Sequence, residues 1–367
     1  MKTRILIIGG YGNFGSFIAR ILGREANIQL ILGGRNIHKA RVLSHELAAK
    51  NTPESTYIDI DKNLSTALAE TKPDIVIHTS GPFQGQGYDV AKTCIAHQCH
   101  YIDLADSREF VANITQLNED AKDNDVLICT GASSVPCLTA AIIDEYIGGF
   151  KTLEKVDYGI ATAQLTNRGF ATTSAVLSYA GKPFTTLIDG KMQNVYGWLG
   201  LRWRRFWKLN LRPMGYCDIP DLDLFPQRYP SLKTLRFQAG LELKILHIIL
   251  VMLSSLVKIR VLNSLQPLAS FLLKASYFFD FFGKDDSGFY MTLSGKDQND
   301  RTKEVTFNLV ARHGDGLYIP SMPAILLAKK LANSEVGVTG ATACVDLISL
   351  TEYLDGLSEF DMAWQVQ

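Results

Sequence analysis

Arg4-Ile5-Leu6-Ile7-Ile8-Gly9-Gly10-Tyr11-Gly12-Asn13-Phe14-Gly15 is the stretch that decides the fold. Residues 4–8 form a short apolar run of the kind that fills a strand buried on both faces. Gly9 to Gly12 reads as a turn, and residues 13–22 have helical spacing. Gly10, Gly12 and Gly15 therefore make a G-x-G-x-x-G directly between a strand and a helix. In that context Gly10 allows the tight turn, Gly12 lets backbone approach a pyrophosphate, and Gly15 lets helix and strand pack closely. Asn13 and Phe14 open the helix, whose N–H groups and positive dipole end face the phosphates. The expected ligand is a dinucleotide.

Its identity follows from the end of the next strand, residues 28–32. A site for NAD usually has an acid about 20 residues on, accepting from the ribose 2′-OH. Here the chain reads Leu32-Gly33-Gly34-Arg35-Asn36. No carboxylate stands there to repel a 2′-phosphate, and Arg35 can grip one with a charge-assisted fork. NADP(H) is expected over NAD(H), with Lys39 one turn on as either a helper or a solvated charge.

Further along, β-rich runs at 56–60, 74–78, 100–103 and 126–129 alternate with helical segments at 37–50, 64–70, 88–97 and 107–122. Six such runs imply a parallel sheet covered on both faces. Asp59-Ile60-Asp61 ends the third run, where an adenine edge is met or where the carboxylates cap a turn. Ser80-Gly81-Pro82-Phe83 follows the fourth run at the carboxyl edge, beside the topological switch point, so this loop is expected on the nicotinamide side. Tyr101 and Asp103 end the fifth run on one face of the strand and are the candidates for proton transfer. Core packing and helix capping are their competing structural roles.

After Leu153 the period changes. Residues 153–162 and 192–198 read as strands around a helix at 171–179. Residues 288–293 and 304–311 read as a hairpin across the polar loop GKDQNDR. The fold class expected is α/β, an N-terminal doubly wound parallel sheet (a Rossmann domain) with a second α+β domain bearing a largely antiparallel sheet. The expected boundaries are 1–135 for cofactor binding and 136–322 for substrate binding and dimerisation. Residues 323–367 are expected to pack back on the first domain.

With 367 residues, the length prior is two or three domains. Lys+Arg and Asp+Glu both number 37, giving zero formal charge, so no overall field attracts nucleic acid. Six cysteines without regular spacing suit a reducing compartment, which places the protein in the cytoplasm. The N-terminus lacks the longer apolar stretch of a signal peptide. The longest apolar run, residues 245–257, is interrupted by His247, Ser254 and Ser255 and falls short of the roughly 20 residues of a spanning helix.

Trp198 to Arg212 is compositionally odd, with three tryptophans, five basic residues and no acid. It reads as an interfacial patch on anionic lipid, as a clamp for an anionic substrate, or as a segment whose aromatics pack inward while its arginines pair with Asp218, Asp221 and Asp223. Ile245 to Phe282 reads as two helices and a phenylalanine-rich box. That stretch suits core, dimer interface or peripheral membrane contact. The His313-Gly314-Asp315-Gly316 loop reads as turn chemistry or as a loop that closes on substrate. Cys94, His97, Cys99 and His100 split between a helix and a strand start, so no metal site is expected. Ser133-Ser134 lacks a nucleophile elbow.

GGYGNFG, LGGRN and SGPFQGQGYDVAKTCIAHQCHYIDLAD resemble the saccharopine dehydrogenase-like family, and so do CDIPDLDLFPQRYPS, FFGKDDSGFYMTLSGKD and GDGLYIPSMPAILLAKKL. The resemblance spans nearly the whole chain. It implies an NADP- or NAD-dependent oxidoreductase acting on a small-molecule substrate, with a Rossmann domain and an inserted domain that commonly mediates homodimers. Some members work at the C–N bond of amines and imines, and others are lipid-linked enoyl reductases. By match of motif, Gly10, Gly12, Gly15 and Arg35 take the family's cofactor roles, and Ser80 to Pro82 its nicotinamide-side loop. Many relatives carry Thr/Ser-Gly-Glu where this chain has Ala105-Asp106-Ser107, and the Ser-Tyr pairing of saccharopine-forming members is missing. Saccharopine is therefore not the expected substrate. A cofactor-binding regulatory protein without turnover is the alternative from another class.

Overall fold

The computed structural model describes residues 2–367. In chain order the strands are β1 (Thr3–Ile8), β2 (Ile28–Gly34), β3 (Glu54–Tyr57), β4 (Ile75–His78), β5 (His100–Asp103) and β6 (Leu127–Thr130). There follow β7 (Thr152–Thr162), β8 (Pro183–Ile188), β9 (Lys191–Tyr196), β10 (Arg202–Arg205) and β11 (Leu211–Tyr216). The remainder are β12 (Thr234–Leu241), β13 (Ser287–Lys296), β14 (Thr302–Ala311), β15 (Gly340–Ala343) and β16 (Met362–Val366).

Two compact units result. One comprises the residues through Ala141 with Leu317–Leu357, the other Ile142–Gly316 with Ser358–Gln367. The first holds a 7-stranded sheet in the order β15-β6-β5-β4-β1-β2-β3. All its pairings are parallel. Ile5, Leu6 and Ile7 are 0% exposed. Each contributes roughly 1.5–3 kcal/mol of burial, which is why β1 is an apolar run without alternation. Helix Asn13–Leu22 buries Ile18, Ala19, Ile21 and Leu22. One face of the sheet packs into a core of Leu6, Ile8, Val76, Ile128 and Ala341 together with Ala91 and Cys94.

Two local readings change. Residues 107–122 are not one helix but helix Arg108–Ala112, a 3-10 turn Ile114–Leu117 and helix Asn118–Asp123. Ile114 and Leu117 are both buried, and their spacing of three is stacked on one side by a 3-10 turn. The third strand ends at Tyr57, so Asp59 and Ile60 lie in the turn that follows.

The second unit holds another 7-stranded sheet, in the order β10-β11-β12-β7-β13-β14-β16. Only β12 with β7 is parallel; the other pairings are antiparallel. The hairpin β13–β14 runs from Ser287 opposite Ala311 to Lys296 opposite Thr302. β8 and β9 form a separate two-stranded sheet. The final strand β16 is the edge of this second sheet, so the chain's return to the first unit ends at Leu357.

The segment 198–212 folds as strand β10 and the approach to β11. Arg202 pairs with Asp157 at 3.0 Å and Arg212 with Glu242 at 3.5 Å. Trp198 is buried edge-on to His247, and Arg204 lies over the Tyr290 ring at 4.0 Å. Residues 245–282 form helices Lys244–Lys258 and Ala269–Tyr277 with short 3-10 turns. No helix among the described residues is long and apolar enough to cross a membrane.

Candidate cofactor site

The glycine turn sits where β1, β2 and β4 adjoin, the switch point at which chain order reverses in the first sheet. Gly9 has φ +80°, a left-handed conformation in which side chains are strained. A Cβ on Gly15 would meet the Gly9 carbonyl oxygen at 2.3 Å and the Gly10 Cα at 2.8 Å, so only glycine lets the helix leave so close to the turn. Gly12 caps the helix in extended backbone. A Cβ there would find only the Gly9 oxygen, at 3.1 Å, within contact range, which leaves the backbone open to an approaching phosphate. Asn13 and Phe14 follow in the first helical turn, where N–H groups have no intrahelical acceptor.

Two side chains outside the glycine pattern hold this turn. Thr79, just past β4, donates its Oγ1–H to the Ile8 carbonyl at 2.9 Å. Tyr11 reaches to the end of β2, where its hydroxyl accepts the Asn36 N–H at 2.9 Å. The ring covers Gly34, at which a Cβ would strike a ring carbon at 2.6 Å. Asn36 in turn caps helix Ile37–Glu46, its side chain accepting from the Lys39 N–H. Arg35, between these two fixed residues, is exposed. No acid lies between Glu25 and Glu46. The residues thus fit a dinucleotide with a 2′-phosphate: an open glycine backbone on one side and a lone guanidinium on the other.

Ser80, Gly81 and Pro82 are half-buried in the loop after β4. Gln86 donates through Nε2 to the carbonyls of Ser80 at 3.0 Å and Pro82 at 2.8 Å, which shapes the loop. Asp59 is nearly buried, and its Oδ1 accepts the Asp61 N–H at 3.3 Å while Lys62 stands 3.4 Å from Oδ2. Its carboxylate closes the turn after β3, and Ile60 follows half-buried.

Tyr101 and Asp103 are 1% and 0% exposed, and so lie behind the sheet edge. The Asp103 Oδ1 accepts from the Ala105 N–H, the Thr130 hydroxyl and the Gly131 N–H at 2.8–2.9 Å. The Tyr101 hydroxyl bonds Nδ1 of His78 at 3.1 Å, a buried histidine that the sequence reading passed over. Burial pushes the Asp103 carboxyl up to about 6, against the pull of its N–H and O–H donors. Burial also pushes His78 down to about 4 and Tyr101 well above its ordinary range, the latter helped by Asp103. All three groups are held neutral near pH 5. In this arrangement they are buried together between β4 and β5.

The remaining candidates separate. His97 bonds Ser65 through Nε2, and His100 accepts the Leu127 N–H, while Cys94 and Cys99 are buried free thiols. Among the described residues no group of three or more such side chains is placed to hold a metal ion. In the second unit, His313 pairs with Asp361 at 2.5 Å, and Asp315 accepts the Asp361 N–H at 2.8 Å, which ties that loop to the start of β16.

Residues 5–129 match the saccharopine dehydrogenase NADP binding domain. No curated protein matches the chain in sequence. Among solved structures, the chain resembles apo saccharopine dehydrogenase (L-Glu forming) from Saccharomyces cerevisiae with a TM-score of 0.73 at 11% identity, covering 100% of both chains. An amine dehydrogenase from Mycobacterium smegmatis superposes with a TM-score of 0.50 at 9% identity, covering 94% of this chain and 96% of that one. At such identities the likeness establishes the fold of both units, while the matched domain identifies residues 5–129 as the NADP-binding part.

Proposed function

For a chain whose residues 5–129 match the saccharopine dehydrogenase NADP binding domain, we propose an NADP(H)-dependent oxidoreductase of the saccharopine dehydrogenase-like family that transfers hydride at the C–N bond of a small amino-acid-like substrate. One observation carries the reading: an open glycine backbone and an exposed Arg35 lie at the two ends of the Tyr11 bridge, without a carboxylate between them. NADPH, when bound, supplies the hydride; the chain supplies position and charge. The N–H groups of the turn and first helical turn take the pyrophosphate, and the Arg35 guanidinium takes the 2′-phosphate. Ser80 to Pro82, held by Gln86, border the nicotinamide side. Tyr101, Asp103 and His78 act as positioning residues beneath that edge.

The amine-and-imine part of the reading rests on the family resemblance and on the shared fold with an amine dehydrogenase. Six buried free thiols suit a reducing compartment, so the reading is of a cytoplasmic protein, working as the homodimer that the resemblance implies. A second reading, reduction of a lipid-linked double bond, is favoured by one feature of the second unit: phenylalanines at 278, 281 and 282 are 70–91% exposed.

The test is a fluorescence titration of the protein with NADPH and NADH, with Arg35→Ala alongside. NADPH is expected to bind at least tenfold tighter than NADH, and the variant to lose that advantage. If neither cofactor binds, the reading falls. NADPH oxidation is then followed with amine, 2-oxo acid and enoyl substrates. Turnover on enoyl compounds alone selects the second reading, and binding without turnover on any of them selects a regulatory role.

A further inference from the structure

Helix Lys244–Lys258 carries apolar side chains on its solvent face as well as on its buried one. It buries His247, Leu250, Ser254 and Val257, and exposes Ile245 (59%), Ile249, Met252 (64%) and Leu256. The exposed positions recur at i, i+4, i+7 and i+11, so they form one apolar stripe pointing at solvent. A second exposed apolar group lies near the start of the helix. Glu242, two residues before it, accepts through Oε2 from the Lys284 N–H at 2.9 Å, which brings the helix start beside the turn carrying Phe281 and Phe282. Phe281 is 91% exposed. Isolated exposed apolar residues are ordinary, but a contiguous run of this kind marks an interaction surface.

Charge identifies the occupant. Between Glu242 and Asp280 every charged residue is cationic: Lys244, Lys258, Arg260 and Lys274. The two bounding acids are neutralised from within, Glu242 by buried Arg212 at 3.5 Å and Asp280 by Arg168 at 2.6 Å. Trp203 is half-exposed with Lys244 above its ring at 5.8 Å, and Arg205 is exposed beside it, so the basic hairpin adjoins the same face. A second copy of the chain is a poor fit. A two-fold contact sets a patch against itself and would place these lysines and arginines against one another, with Asp285 and Asp286 after the phenylalanine turn the only further acids in that stretch. A lipid surface supplies both halves of the complement, headgroup anions for the cationic rim and an acyl boundary for phenylalanine and tryptophan.

We propose that the face formed by Lys244–Lys258 and the Phe281–Phe282 turn docks on an anionic lipid bilayer, lying on it without spanning it. The proposal is independent of the cofactor reading, because it rests on the second unit alone.

The full chain is sedimented with vesicles of phosphatidylcholine, with and without phosphatidylglycerol, and its oligomeric state is measured by analytical ultracentrifugation. Wild type is expected to pellet with the anionic vesicles and to bind neutral ones at least tenfold less. Phe281→Ser/Phe282→Ser should weaken anionic binding at least tenfold, and so should Lys258→Glu/Arg260→Glu, since each basic residue near an anionic surface is worth about fivefold. Both variants should keep wild-type thermal midpoints and NADPH affinity, as their side chains are exposed. Failure of folded wild type to bind anionic vesicles overturns the proposal. So does vesicle binding that the variants leave intact. A wild-type dimer that the phenylalanine variant converts to monomer, without vesicle binding, assigns the face to a second copy and overturns it equally.

Discussion

The Tyr11 hydroxyl accepts the Asn36 backbone N–H at 2.9 Å, joining the middle of the glycine turn to the residue that follows Arg35. The glycine turn and the Arg35 strand end, the proposed pyrophosphate and 2′-phosphate determinants, are therefore one mechanical unit. Gly34, on the other side of Arg35, is covered by the same ring.

Tyr11→Phe removes the acceptor and leaves the ring. A hydrogen bond of this kind contributes about 0.5–1.5 kcal/mol. NADPH affinity should fall about threefold to tenfold, and NADH, which has no 2′-phosphate, should be weakened less. Parallel titrations of the two cofactors check this. An equal loss for both would show that the bridge serves the turn and not the setting of Arg35.

The buried trio behind the sheet edge carries opposing pH dependences. The folded Asp103 pKa of about 6 lies above the ordinary carboxylate value, so its contribution is complete at low pH and is lost as pH rises through about 6. His78 has a folded pKa of about 4, below the usual value, so its contribution is present above the ordinary histidine range and is lost as pH falls through about 4. Between those limits the two slopes cancel. Asp103→Asn should unmask the histidine, giving stability that rises with pH by about 2 kcal/mol from roughly pH 4.5 to 6. His78→Gln should unmask the carboxyl and give a fall of similar size. Urea midpoints across this window measure both, and parallel shifts in the two variants would contradict the scheme.

Arg212 and Glu242 form a pair with side chains only 5% and 9% exposed. Glu242 also accepts the Gln164 and Lys284 N–H groups at 2.9 Å, so the pair anchors three segments of the second unit. Arg212→Ala strands a buried carboxylate and should cost about 3–5 kcal/mol, whereas replacing both partners, as Arg212→Met with Glu242→Gln, should recover much of the loss. Exposed Arg205→Ala is the control, expected within about 0.5 kcal/mol of wild type. Thermal or urea unfolding of the four proteins decides the matter.

Much of the cofactor site was legible in sequence because its logic is local. A glycine that must admit a helix and a turn that must admit a phosphate are written within a few residues, and so is a strand end without an acid. The close approach at Gly15 and the exposed place of Arg35 at the strand end are legible for that reason. Tyr11 and Thr79 were not, since their roles consist of reaching other strands, and a tyrosine between two glycines carries no mark of that reach. The segment Trp198–Arg212 shows the same limit. Its lack of acids is plain in the sequence, but the pairing of Arg202 with Asp157 depends on a register that only the folded sheet sets.

The sequence by itself determined the alternating architecture of the first unit, the glycine turn at its switch point and the preference for a phosphorylated ribose. Each rests on periodicity, backbone sterics or the presence of one charge. Tertiary structure decided the rest. It buried Tyr101 against His78 with Asp103 beside them, and it left an apolar stripe of helix Lys244–Lys258 facing outward. Periodicity says that a helix has two faces; which of them meets water is settled only by what packs against it.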